Sequence, residues 1–275
     1  MLAWNRYGKA RVRLVKVRRD RDPHELVDVT IDVALEGAFE PVYLDGDNTL
    51  CVATDTMKNT VYAFARQDPI EHVEVFAARL ADHFAVLPAV ARATISALEH
   101  RWVRLSSGGR PHPHAFTQQG PDRWTSVVSR GADGTRVRSG VADLVVLKTT
   151  DSGFSGFPRD AFTTLPETDD RIFATSVTAT WLYRAGTTGF GAREDIKAAL
   201  VGTFAAHESR SVQHTLYAMA QAALEACADV DEITLTMPNR HHLLVNLEPF
   251  GLDNPNEIFV ATDQPFGLIE ATVTR

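Results

Sequence analysis

Apolar and polar residues alternate from the start of the chain. Between Lys9 and Arg18, Val12 and Leu14 alternate with Arg11 and Arg13, the period-two signature of a half-buried strand, and a second strand is predicted over Leu26 to Leu35. Gly46-Asp47-Asn48 reads as a turn. The period then lengthens. Thr54 to Arg66 predicts a helix with Thr54 or Asp55 as its N-cap, and Ile70, Val73, Phe76, Leu80 and Phe84 mark a second helix by recurring at three- and four-residue steps. Strands are predicted again at Ala91 to Leu105 and His112 to Thr117.

The second half repeats the order. Strands are predicted at Trp124 to Arg130 and Thr135 to Lys148, joined by Gly131-Ala-Asp-Gly134, and another places Val177, Ala179, Trp181 and Tyr183 on one face. Helices follow at Ala192 to His207 and Val212 to Ala228, and Ser209-Arg-Ser211 can cap the second. Strands at Glu232 to Met237, His242 to Leu247 and Glu257 to Thr262 complete the chain. Strands, two helices, then strands, given twice, argue for a duplicated α+β unit, with halves 1–119 and 120–275.

Composition narrows the function classes. The 275 residues, 44% hydrophobic, suffice for a sizeable core. With Lys+Arg 28 against Asp+Glu 35 the net charge is -7, and no long basic run follows Arg19, which disfavours a nucleic-acid surface. An anionic ligand would need a locally positive pocket. Cys51 and Cys227 form neither a CxxC pair nor a disulfide framework and are expected as buried thiols in a reducing compartment. No apolar run approaches the roughly 20 residues of a membrane span. The first residues lack a signal peptide's apolar stretch and the last are not Ser-Lys-Leu, so a cytoplasmic location is expected.

The chemistry concentrates in a few motifs. Leu144 to Arg171 starts as an apolar strand and becomes a polar segment with phenylalanines at intervals and an arginine at its end. Phe154 offers an aromatic face and Arg171 a planar, two-pronged cation, the two partners a flat, anionic heteroaromatic ligand needs. Lys9, in Tyr7-Gly8-Lys9, is on its own an ordinary surface charge. Ala53-Thr54-Asp55 is a helix start whose free N–H groups and partial positive charge suit an anion. Ser211-Val212-Gln213 opens another helix, and the Gln213 amide sets a donor beside an acceptor. Asn239 and His241, two residues apart in an extended segment, share a face, while a lone histidine there, like the adjoining His242, is ordinarily structural or exposed. His112 and His114 could chelate as an i, i+2 pair, but no cysteine or carboxylate cluster completes a metal site, and both are assigned a structural role. No Gly-x-Gly-x-x-Gly loop that would hold a dinucleotide is present.

In this order and at these spacings, from Tyr7 to the Pro265-Phe-Gly-Leu-Ile-Glu-Ala-Thr segment, the motifs resemble those of the urate oxidase (uricase) family. The resemblance implies two tandem tunnelling-fold (T-fold) units whose sheets join across subunits into barrels, in a homotetramer with active sites at subunit interfaces. It implies oxidation of urate by O2 to 5-hydroxyisourate and H2O2 without cofactor or metal. Lys9 and Thr54 would relay protons, oriented by His241. Phe154 would stack on urate, Arg171 with Val212-Gln213 would clamp it, the Asp55 N–H would donate to it, and Asn239 would help hold dioxygen. Two other readings remain: another T-fold enzyme acting on a purine or pterin, and a catalytically silent purine-binding protein. The first needs a metal or a catalytic cysteine setting, and the second has no use for Lys9, Thr54 and His241.

Overall fold

The computed structural model describes residues 1–67, 69–262 and 264–275, an α+β chain that divides into two compact units. One comprises residues 1–140 and 181–191, the other residues 141–180 and 192–275.

In the first unit the strands β1 (Tyr7–Arg18), β2 (Glu25–Gly37), β3 (Val90–Glu99), β6 (Arg123–Gly131) and the start of β7 (Gly134–Lys148) lie side by side in that order. The pairs β1–β2, β2–β3 and β3–β6 are antiparallel. Strands β4 (Trp102–Ser107) and β5 (Arg110–Gln118) form a separate two-stranded hairpin. Val29, Ile31, Val33 and Leu35 of β2 are buried and share a core with Met57 and Val61 of α2 (Thr54–Gln67) and Phe76, Leu80 and Phe84 of α3 (Val73–Ala85). Burying each such side chain is worth about 1.5–3 kcal/mol, which fixes the helices over that face. A short helix, α1 (Glu40–Leu44), follows β2 and was not foreseen.

The strand predicted over Ala91 to Leu105 is two strands. At the break the His100 N–H donates to the Asp28 carbonyl at 2.8 Å. The buried Asp28 carboxylate takes two hydrogen bonds from Arg13, at 3.0 and 2.8 Å, and one from the Trp102 indole at 3.0 Å. Burial works to raise the Asp28 pKa, and these bonds outweigh it and hold the carboxyl below its ordinary value. A tertiary contact of this kind leaves no mark on local periodicity.

In the second unit the end of β7 lies beside β8 (Phe173–Tyr183) and β8 beside β9 (Val230–Leu244); β10 (Phe259–Thr262) and β11 (Leu268–Thr274) pair with β9. Helices α4 (Arg193–Ala206) and α5 (Val212–Ala226) pack together, burying Ile196, Leu200, Phe204, Leu216, Met219 and Ala220. The strands predicted at Glu232 to Met237 and His242 to Leu247 are one strand, β9. Its partner is β11 up to Pro238 and β10 from His241, so ladder bonds on both sides keep the chain extended through a residue that cannot donate. Conversely, the strand predicted from Glu257 starts only at Phe259, because the Glu257 and Ile258 N–H groups donate to Asn254 Oδ1 at 3.1 and 3.0 Å. From Leu243 to Val260 the chain leaves Leu243, Leu244, Phe250, Leu252, Ile258 and Val260 exposed.

Two sequence expectations need correction. Met57 N–H bonds to the Ala53 carbonyl, so Ala53 occupies the cap position of α2, and Thr54 and Asp55 lie inside its first turn. Both cysteines are free thiols, but only Cys227 is buried; Cys51, on the loop before α2, is half-buried. Among the described residues no helix is long and apolar enough to cross a membrane.

Candidate active site

The sequence-predicted site residues fall into two sets, Lys9, Thr54 and Asp55 in the first unit and the remainder in the second. Lys9 lies in β1 opposite Val33, next to a register shift at which Arg11 adopts φ 57. Gly8 permits that approach, since a Cβ at this position would sit 1.8 Å from the Val33 carbonyl oxygen. Tyr7 links β1 to the loop before α2. Its hydroxyl accepts the Val52 N–H at 2.8 Å and its ring meets the buried Phe39 edge-on at 4.8 Å. Burial, then Cys51, pushes the Tyr7 phenol up to about 12, so it stays a neutral hydroxyl. The start of α2 is thereby tied to the strand that carries Lys9.

Thr54 and Asp55 are exposed in that first turn. The Asp55 carboxylate is bonded by Lys58 and, at 2.9 Å, by Asn59; the Lys58 bond is the main cause of its lowered pKa, and the charge of Lys9 adds to it. Lys9 thus reaches the field of this helix start. Within the chain Lys9 and Thr54 make no hydrogen bond to each other among the described residues.

In the second unit the structure brings Phe154 and Arg171 together: the guanidinium carbon stands 5.3 Å from the ring centroid. Phe154 exchanges two backbone bonds with Thr168, at 2.8 and 3.1 Å, which draws the segment ending at Arg171 alongside. Arg171 is half-buried, burial pulls its pKa below the ordinary value, and it has no acidic partner among the described residues. A guanidinium kept from water without a counter-charge is set up for an anion.

The same loop is stitched to the start of α5. Gly153 N–H donates to the Ser209 carbonyl at 2.8 Å and Ser209 N–H to the Asp151 carbonyl at 2.9 Å. Ser211 caps α5 by accepting the His214 N–H at 3.1 Å, as its position in the sequence suggested. Val212 is buried; Gln213 is exposed on the first turn, its side chain free of hydrogen bonds among the described residues. Asn239 and His241 are half-buried in β9. The Asn239 N–H bonds to the Gly267 carbonyl at 2.8 Å, and among the described residues neither side chain makes a hydrogen bond to Phe154, Arg171 or Gln213.

A family profile described as Uricase matches residues 5–129 and 137–270. The uricase of Arthrobacter globiformis is 44% identical over 277 residues, covering 100% of this chain and 90% of that protein. The chain belongs to the uricase family. The uricase of Dictyostelium discoideum is 38% identical over 276 residues, covering 98% of this chain and 96% of its own. The crystal structure of the Arthrobacter globiformis uricase matches with a TM-score of 0.95 at 43% identity, covering 100% of this chain and 95% of that one.

Against the uricase framework, some residues around the site had no signal in the sequence. Lys148, at the end of β7, donates to the His207 carbonyl and lies 5.9 Å from the Phe204 ring. The His207 ring bonds to the buried Thr215 hydroxyl at 3.2 Å and meets His214 at 4.4 Å, bracing the first turn of α5. Phe157 stacks on Phe154 at 4.9 Å. The His112 and His114 rings touch at 4.6 Å, and Arg104 grips the His112 and Pro113 carbonyls at 2.8 Å each. Among the described residues no group of three or more potential ligands could hold a metal ion.

Proposed function

We propose that the protein is a urate oxidase of purine degradation that needs no cofactor. The observation that carries this reading is the Arg171 guanidinium, half-buried beside the Phe154 ring and facing no carboxylate, in a chain of the uricase family. Urate enters as an anion and stacks on Phe154. Arg171 and Gln213, with the Val212 backbone, clamp its carbonyl and N–H edges, each charge-assisted bond worth about 1.5–3 kcal/mol. The Asp55 N–H, unsatisfied in the first turn of its helix, donates to the ligand from the other set.

Lys9 and Thr54, oriented by His241, take a further proton from the bound anion. The resulting dianion is electron-rich enough to pass electrons to dioxygen, which Asn239 helps hold above the ring. Oxygen adds at a ring carbon as a hydroperoxide, peroxide leaves, and water takes its place. The balance is urate, O2 and H2O giving 5-hydroxyisourate and H2O2, with two electrons moved from urate to oxygen.

On this reading the halves 1–119 and 120–275 are tandem T-fold units whose sheets close into barrels with those of a partner subunit. The assembly is a homotetramer in the cytoplasm. Each site joins the Lys9 set of one subunit to the Arg171 set of another, the two sets lying in different compact units of the chain. The test is urate consumption with equimolar peroxide release by chelator-treated protein of checked metal and flavin content. Activity lost on chelation and restored by Cu²⁺ or Fe²⁺ would refute the cofactor-free mechanism, and absence of turnover would refute the activity.

A further inference from the structure

The Phe154 ring is itself supported. Phe157 lies against it with centroids 4.9 Å apart and planes within 12°, an offset parallel stack that covers one of its two faces. The Arg159 guanidinium carbon stands 5.4 Å from the Phe157 ring centroid, and Arg159 Nη2 donates to the Leu165 carbonyl at 3.3 Å.

The backbone is shaped to make this stack. Gly153 lets the loop press against its neighbour, because a Cβ there would meet the Thr168 and Asp169 carbonyl oxygens at 3.0 Å. Gly156 takes φ 72, a left-handed conformation that bends the chain between the two phenylalanines, and its N–H donates to Glu167 Oε1 at 3.2 Å. Ser152-Gly-Phe-Ser-Gly-Phe157 is therefore a device that folds its second aromatic ring onto its first.

We propose that Phe157, backed by Arg159, is a positioning residue for the purine. It holds the half-exposed Phe154 ring in one orientation beside the Arg171 guanidinium, 5.3 Å from the ring centroid, so that ring and cation are presented to the ligand together. The inference rests on the urate oxidase reading and extends it to two residues that touch no substrate. A platform whose rotamer is fixed before binding gives up less entropy on binding, so the benefit falls on affinity and not on the chemical step.

The competing geometry is that Phe157 lies where the purine would stack and is displaced on binding. The two differ in sign. The experiment compares wild type with Phe157→Leu, Phe157→Tyr and Arg159→Gln, measuring KM and kcat for urate, Kd for xanthine as a purine probe, and the thermal midpoint. Phe157→Leu should raise KM and the xanthine Kd together by roughly 3- to 10-fold, the worth of one aromatic pair, with kcat within about twofold of wild type. Phe157→Tyr should recover near-wild-type affinity, and Arg159→Gln should fall between. Unchanged or tighter xanthine binding by Phe157→Leu, or a loss confined to kcat, would overturn the proposal, and Phe157→Tyr with Arg159→Gln carries the comparison if the leucine variant fails to fold. A wild type that neither consumes urate nor binds xanthine would instead refute the activity on which the proposal rests.

Discussion

A guanidinium half withdrawn from water with no carboxylate beside it costs the folded chain free energy that a bound anion returns. Arg171 holds that position. Arg171→Gln should weaken xanthine binding by about 1.5–3 kcal/mol, read by titration calorimetry, while leaving the ligand-free thermal midpoint unchanged or higher. Tyr7 acts in the opposite sense, as a purely structural partner. Tyr7→Phe removes the acceptor of the Val52 N–H and should lower stability in urea by about 1 kcal/mol. The chemistry at Phe154 and Arg171 was legible in the sequence because ring and cation carry it by residue type alone. Phe157 was not, since its role depends on the left-handed conformation at Gly156, and many glycines in a polar loop are simply flexible.

Among the elements, α5 bears most directly on the site, because its first turn presents Val212 and Gln213. Ser211→Ala removes the cap and should cost about 1 kcal/mol in a urea titration, with KM for urate rising as the turn frays. The His207 ring braces the same turn. Burial first, then His214 and Lys148, lower its pKa, while Glu208 works the other way. The unfolded chain therefore protonates this histidine before the folded one does. Its contribution is present above the ordinary value near 6.5 and is lost as the pH falls below it. His207→Gln should flatten the fall of the urea midpoint as the pH drops below 6.5; an unaltered slope would place the acid sensitivity elsewhere. The four longer helices were readable because a 3.6-residue period survives any tertiary setting, whereas the five residues of α1 are too few to show one. The strand ends were not. Asp28 decides where β3 stops, and the exchange of β11 for β10 carries β9 past Pro238, so both boundaries are set by residues distant in sequence.

At the level of the whole molecule, the sequence showed the proposed relay and clamp residues in different halves, and the structure keeps them in different compact units. Which chains meet is written in no local pattern, because an interface is a property of two surfaces. Mixing dead subunits tests it. If sites are shared, co-expressed Lys9→Met and Arg171→Ala chains will form some sites carrying both lesions and others carrying neither, and appreciable urate turnover should return. Verified mixed oligomers that stay silent would refute sharing. The apolar tip from Leu243 to Val260 has a consequence for handling. If assembly covers it, a subunit released by dilution carries a sticky patch into water while still folded. Activity lost in dilute solution should then follow second-order kinetics, with light scattering rising before circular dichroism changes, and a non-ionic detergent should slow the loss where a stabilising osmolyte would not.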